Sequence, residues 1–220
     1  MTSLHPACRI ELAGETVELL ADPALWWPAR RVLFVADLHL GKAATYRALG
    51  QPVPSGTTNE NLARLDRLIA RHDPREIVFL GDFLHSVQAR TLGLMVAVED
   101  WRARHPSLAL TLVRGNHDSR AGDPPESLRI HVVDEPHAIG PFAACHHPRE
   151  QAGHFVLAGH LHPVCKLYGP GRDSVRVPCF VQEGQRLVLP AFGEFTGGWR
   201  VEPHPERRFF AVGGHAVWRL

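Results

Sequence analysis

Fifteen histidines stand in a chain of 220 residues, and most of those in its middle sit beside Asp, Asn or Gly directly after apolar runs. Five groups occupy that position: Asp37-Leu38-His39, Gly81-Asp82, Gly115-Asn116-His117-Asp118, Cys145-His146-His147 and Gly159-His160-Leu161-His162. Carboxylate, imidazole and carboxamide are the donors of a mixed oxygen and nitrogen metal site. Residues i and i+2 of an extended chain point to one side, so Asp37 is expected beside His39 and His160 beside His162. Glycine before Asp82, Asn116 and His160 would let the backbone approach closely. Singly, each group has an ordinary explanation. Asp-x-His is common, Gly-Asn-His-Asp could be a turn closed by its own side chains, and His146-His147-Pro148 could end a strand. Together they differ, because burying so many ionisable groups without a cation carries a heavy desolvation cost. A dinuclear metal site is the expectation. Two divalent cations ~3.5–4 Å apart would acidify a shared water and polarise phosphoryl oxygens for in-line attack, so phosphoester hydrolysis is the natural reaction.

The elements that must carry these groups are legible around them. Val32–Ala36, Ile77–Leu80 and Leu108–Val113 are apolar runs of strand length, each ending in one of the groups. Between them, Thr57–His72 places Leu62, Leu65, Leu68 and Ile69 at helical spacing before Pro74, and Thr91–His105 reads as a helix stopped by Pro106. The loop ahead of the first helix holds Gly50, Pro52, Pro54 and Gly56. Arg9–Leu12 and Thr16–Leu20 flank Ala13-Gly14-Glu15 as a hairpin. After Gly122–Pro125 the helices stop. Short strands are expected at Arg129–Val133, Phe142–Cys145, His154–Ala158, Val164–Leu167, Val175–Val181, Leu187–Leu189 and Arg208–Val212. Strands buried on both faces in the first half and a mainly β second half predict a single α/β domain over residues 1–220: a two-sheet sandwich with helices outside, in four layers αββα. The ligand groups then fall at strand C-terminal ends, where open α/β sheets place their sites.

Lys and Arg number 24 against 23 Asp and Glu, a balance that neither reveals nor excludes a nucleic-acid partner. No apolar run approaches the ~18 residues that span a bilayer. Arg9 and Glu11 interrupt any signal-peptide core, so a cytoplasmic protein without membrane contact is expected. Cys8, Cys145, Cys165 and Cys179 are widely spaced, which suits free thiols in a reducing compartment. Trp26-Trp27 could stack a base, although aromatic pairs ahead of a strand more often enter the core.

The motif order DxH, GD, GNH(D/E), H and GHxH resembles the calcineurin-like metallophosphoesterase superfamily, over roughly Val32 to Pro163. Within it, Asp37–Lys42, Gly81–Ser86, Gly159–Pro163 and Leu189–Gly198 resemble the bacterial ligase-associated DNA-damage-response endonucleases of PdeM type. The resemblance implies a DNA endonuclease or phosphodiesterase linked to repair. A nucleotide phosphatase of the same chemistry is the alternative, and a non-catalytic adaptor to a DNA ligase or helicase a more distant one. It also implies that Asp37, His39, Asp82 and His162 hold one metal, while Asp82 bridges to a second completed by Asn116, His146 and His160. His146 is preferred to His147 because the matching ligand directly ends its strand. Mn²⁺ is the implied metal, with Fe²⁺ or Zn²⁺ as alternatives suited to donors that include no thiolate. His117 would protonate the leaving oxygen, with Asp118 holding its imidazole. His85 stands where many members carry an acid, and its role is open. Lys42 and Arg114 are candidate contacts to substrate phosphate. Leu189–Gly198 has no assigned task.

Overall fold

The computed structural model describes residues 7–48, 50–52, 56–171 and 173–220; Pro54 of the expected loop lies outside them. In chain order the first half contains β1 (Ala7–Leu12), β2 (Glu15–Leu20), β3 (Ala24–Trp27), β4 (Val32–Val35), α1 (Lys42–Ala48), α2 (Thr57–His72), β5 (Glu76–Leu80), α3 (Leu92–Arg104), β6 (Ala109–Val113) and α4 (Asn116–Ala121). The second half contains β7 (His131–Val133), β8 (His137–Ile139), β9 (Phe142–Ala144), β10 (Phe155–Ala158), β11 (Pro163–Tyr168), β12 (Ser174–Glu183), β13 (Arg186–Val188), β14 (Trp199–Arg200), β15 (Arg207–Gly213) and β16 (Ala216–Arg219).

Strands β1 to β7 form one sheet in sequence order, antiparallel from β1 to β4 and parallel from β4 to β7. Its β1–β2 hairpin turns through Ala13 and Gly14, both left-handed, as a two-residue connection between right-twisted strands requires. The second sheet runs β14-β11-β12-β13-β10-β9-β8, with β15 beside β12 and β16 beside β15. In its centre β10 lies parallel to both β9 and β13.

Alternation along β4, β5 and β6 sorts two cores. Leu33, Val35, Ile77, Phe79, Leu110 and Leu112 pack with Leu62, Leu65, Leu68, Leu94, Val98 and Trp101 of the two long helices. Val32, Phe34, Val78, Leu80 and Val113 face the second sheet, where Phe142, Phe155, Leu157, Phe180 and Phe210 meet them. Both faces are thus apolar, which explains continuous runs instead of alternation. Trp26 joins the helix-side core and Trp27 the inter-sheet core, where it meets Phe142 edge-on. The core reading of that pair holds.

Helix α2 has the expected bounds and ends at left-handed Asp73. Helix α3 begins after Thr91, whose hydroxyl accepts the Leu94 N–H at 3.3 Å, and closes on His105. The expected two-sheet α/β sandwich forms. Among the described residues every α-helix falls within residues 42–121, and the two long ones pack on one face of the first sheet. Antiparallel strands such as β15 and β16 join by tight turns and need no crossover helix. No helix among the described residues is long and apolar enough to cross a membrane, and all four cysteines are free thiols.

Candidate metal centre

Each of the five groups leaves the C-terminal end of a strand: Asp37 after β4, Asp82 after β5, Asn116 after β6, His146 after β9 and His160 after β10. The first three strands belong to one sheet and the last two to the other, so the groups meet across the mouth of the sandwich. The expected extended geometry of the i, i+2 pairs is not what brings them together. Asp37, His39, Asp82, His160 and His162 all have left-handed backbones, with φ of 52°, 46°, 52°, 71° and 47°. Non-glycine residues take that conformation uncommonly, and its cost is tolerated where surrounding contacts over-determine the site. The three glycines before Asp82, Asn116 and His160 are required by closeness: a Cβ on Gly81 would overlap the His146 imidazole, one on Gly115 the Asp82 carboxylate, and one on Gly159 the Asp37 carboxylate.

The donors form two adjoining sets around Asp82. On one side, His39 Nε2 and His162 Nε2 face each other at 3.2 Å, with Asp37 Oδ1 3.4 Å from His162 and Asp82 Oδ2 3.7 Å from His39. On the other, His146 Nε2 lies 2.9 Å from Asn116 Oδ1, 3.0 Å from His160 Nδ1 and 3.6 Å from Asp82 Oδ1. One Asp82 oxygen therefore addresses each set. Carbonyls hold two of the rings: Leu80 O accepts from His146 Nδ1 at 3.1 Å and Thr196 O from His162 Nδ1 at 3.1 Å. Each ring then turns its other nitrogen inward as a lone pair, the orientation used by metal-bound histidine.

These residues fit a pair of cations. With its proton at Nδ1, His146 aims a lone pair at the carboxamide oxygen of Asn116, so acceptor faces acceptor. Asp37 Oδ1 is fully buried with no hydrogen-bond partner among the described residues. Such an excess of buried acceptors is costly unless positive charge lies among them. Asp37, His39, Asp82 and His146 are all buried. Burial drives His39 far below the usual imidazole range, and Lys42 and the neighbouring imidazoles push the same way. Burial also lowers His160, helped by His146 and His147 and opposed by Asp37 and Asp82. His162 differs: burial pulls it down, but its contact with the Asp37 carboxylate outweighs this and raises it.

His117 stands at the mouth, about a third exposed, with Nε2 3.9 Å from Asp82 Oδ2. Its Nδ1 donates to the His85 carbonyl at 2.7 Å. Asp118, expected to hold that imidazole, does not: its carboxylate accepts the backbone N–H groups of Phe83 at 3.0 Å, Leu84 at 3.3 Å and Gly115 at 3.0 Å. Helix α4 starts at Asn116 and turns Asp118 back toward the loop after β5, away from its sequence neighbour. Burial raises Asp118 to about 6, partly offset by the Gly115 N–H and reinforced by the charge on Asp82. The His85 ring stacks on His117 with centroids 5.0 Å apart, and burial, then Lys42 and His117, lower it to about 4.

Lys42 is buried beside the cluster and donates to Thr196 O at 3.2 Å. Burial lowers its pKa against the pull of Asp37 and Asp82. Arg114 borders the groove beside Asn116, but its guanidinium is shared between Asp123, gripped by two bonds of 2.9 Å, and Asp134. His147 also lies within ligand range of His146 and His160, and its Nδ1 bonds Glu135 Oε1 at 2.7 Å. Two contributors escape sequence reasoning. Glu135 Oε2 accepts the N–H groups of His146 and His147, each at 2.8 Å, and so shapes the turn after β9. The Thr196 carbonyl orients His162 and anchors Lys42 together. A backbone acceptor leaves no mark in a sequence.

Residues 30–169 match the family model for calcineurin-like phosphoesterases. The crystal structure of the Pseudomonas putida nuclease MPE is 51% identical, covers 97% of this chain and 100% of its own, and superposes with a TM-score of 0.86. The E. coli phosphoesterase YfcE is 16% identical over 83% of this chain and 88% of its own, with a TM-score of 0.38 that carries no argument about the site. No curated protein matches.

Proposed function

The chain belongs to the calcineurin-like phosphoesterase family and is a metal-dependent hydrolase of phosphoesters; from that premise we propose a nuclease that cleaves phosphodiester bonds in DNA. One observation supports the dinuclear form of this reading above others: Asp82 presents one oxygen to each of two adjoining sets of donors. Asp37, His39, Asp82 and His162 would hold one divalent cation, and Asp82, Asn116, His146 and His160 the other. Mn²⁺ is the first choice, with Fe²⁺ and Zn²⁺ also suited to these donors. Such ions supply Lewis acidity, acidifying water and polarising the phosphoryl oxygens.

The chain's own residues supply the rest. The His85 carbonyl keeps the Nδ1 proton of His117 in place, so Nε2 is the nitrogen that takes up a proton and hands it to the departing oxygen. Asp118 acts one step removed, tying the loops after β5 and β6 so that His117 faces Asp82. Lys42 is the cation proposed to contact substrate phosphate. Arg114, held by two carboxylates, is proposed as a brace for its loop. The 51% identity to a nuclease supports a nucleic-acid substrate, and the PdeM-type motifs support a repair role in the cytoplasm beside a DNA ligase or helicase.

The test is turnover by Mn²⁺-reconstituted protein on single- and double-stranded DNA, RNA, cyclic nucleotides and bis-p-nitrophenyl phosphate, with elemental analysis of the same preparation. Cleavage of DNA with two metals per chain is expected. Cleavage confined to small nucleotides would overturn the nuclease reading, and a persistent single metal the dinuclear one.

A further inference from the structure

The segment from Phe192 to Trp199 is a wall of the metal cluster. It is pinned at one end by Phe192 N–H to Ala36 O at 2.8 Å and Gly193 N–H to Asp37 O at 3.1 Å, and at the other by Trp199 N–H to His162 O at 3.0 Å. Pinned so closely, the segment nevertheless leaves the Trp199 indole 70% exposed, and Leu161, set between His160 and His162, is 39% exposed. Indole and leucine line one groove of about 530 Å³, with Pro148 and Pro163 continuing its apolar surface. Large apolar side chains held open at the edge of a polar site mark a binding surface.

We propose that Trp199 and Leu161 form a stacking site for one unpaired nucleobase next to the phosphodiester being cleaved. The proposal rests on the nuclease reading and adds how the substrate is gripped. A nucleobase fits because it is flat, has an apolar face, and is tethered to the group the metal cluster addresses. Charge does not oppose it: Arg186 and Arg207 both pair with Glu183 and Arg200 with Glu202, so the groove carries one cation more than its carboxylates balance. A paired base keeps its faces stacked inside the duplex, whereas an unpaired one can lay a face on an aromatic ring.

The test compares Trp199→Ala, Trp199→Phe and the exposed but distant Trp218→Ala, each loaded with Mn²⁺, on a single-stranded oligonucleotide and on bis-p-nitrophenyl phosphate, which has no base. Stacking on an aromatic side chain is worth enough that its loss should raise KM for the oligonucleotide roughly 5- to 100-fold. Trp199→Phe should retain most of the affinity. Trp218→Ala should match the unmodified protein, and all variants should hydrolyse bis-p-nitrophenyl phosphate with the same kcat, since loss of a stacking surface acts on KM. An oligonucleotide scanned with a single abasic position should reveal one site at which Trp199→Ala costs nothing further. Unmodified protein that cleaves the oligonucleotide, with Trp199→Ala just as effective, would overturn the stacking site and leave the nuclease reading intact. Unmodified protein that cleaves bis-p-nitrophenyl phosphate but no nucleic acid would overturn both. A dimer in light scattering that Trp199→Ala dissociates would assign the groove to a second copy of the chain and overturn the proposal.

Discussion

The floor of the site and its rim are built on opposite terms. On the floor, Asp37 and His146 are 0% exposed, several ligand residues are left-handed, and glycines pack against the donors. On the rim, Trp199 is 70% exposed while its backbone N–H bonds the His162 carbonyl. A floor so over-determined can hold strained geometry and desolvated donors, which is what metal chemistry needs. A rim anchored through its backbone leaves an exposed side chain such as Trp199 free to meet substrate. In the proposed reading, reaction type belongs to the floor and substrate preference to the rim.

The sharpest break in that contrast is Asp82→Asn. Losing a group that only orients a ligand costs about 10- to 100-fold in metal affinity or activity, so losing the carboxylate that serves both donor sets should cost more, on every substrate. Elemental analysis should show metal lost as well; retention of two ions with near-normal turnover would refute the shared role. His117→Ala lies between floor and rim and should behave accordingly. A substrate expelling p-nitrophenolate, already a stable anion, should lose little, whereas a DNA phosphodiester expelling a sugar alkoxide should lose roughly 10²- to 10⁴-fold. Equal losses on both substrates with missing metal would make His117 a ligand instead.

The floor also predicts a pH dependence. In the metal-free protein His162 is raised by Asp37, so it keeps its proton to higher pH than an ordinary histidine, while His39 is already neutral. Metal must displace that proton. Mn²⁺ affinity, measured by calorimetry from pH 8 to 5.5, should therefore be full above the raised pKa and fall by up to about tenfold per pH unit below it. Excess Mn²⁺ should restore activity on the acid limb. An affinity flat across the range would exclude His162 as the controlling group. The smallest effect belongs to Arg114→Ala. Its partly exposed ion pairs are of a kind worth about 1 kcal/mol or less, so thermal denaturation should shift by a few degrees at most and turnover by less than about threefold; a large rise in KM would restore it as a phosphate contact.

Legibility in the sequence followed the same division between side chains and backbone. The strand ends were readable because β4, β5 and β6 are apolar on both faces and stop abruptly at Asp37, Asp82 and Asn116. Helix α2 was readable because its leucines and Pro74 obey helical spacing. Helices α1 and α4, of seven and six residues, escaped because they are too short to show a period. That omission is why adjacency paired Asp118 with His117. Glu135, the His85 carbonyl and the Thr196 carbonyl act through tertiary hydrogen bonds that no local pattern encodes. The left-handed ligand pairs were likewise unreadable, since extended strands offer the same i, i+2 logic.

The contact between His39 and His162 joins residues 123 positions apart. Ribosomes add ~5–20 residues per second, so a nascent chain displays Asp37 and His39 for roughly 6–25 seconds before His162 exists. Through that interval the emerging protein holds only fragments of each donor set. Its hydrolytic centre is closed by residues made late in translation, and phosphoester hydrolysis is thereby withheld from the unfinished chain by the order of synthesis alone.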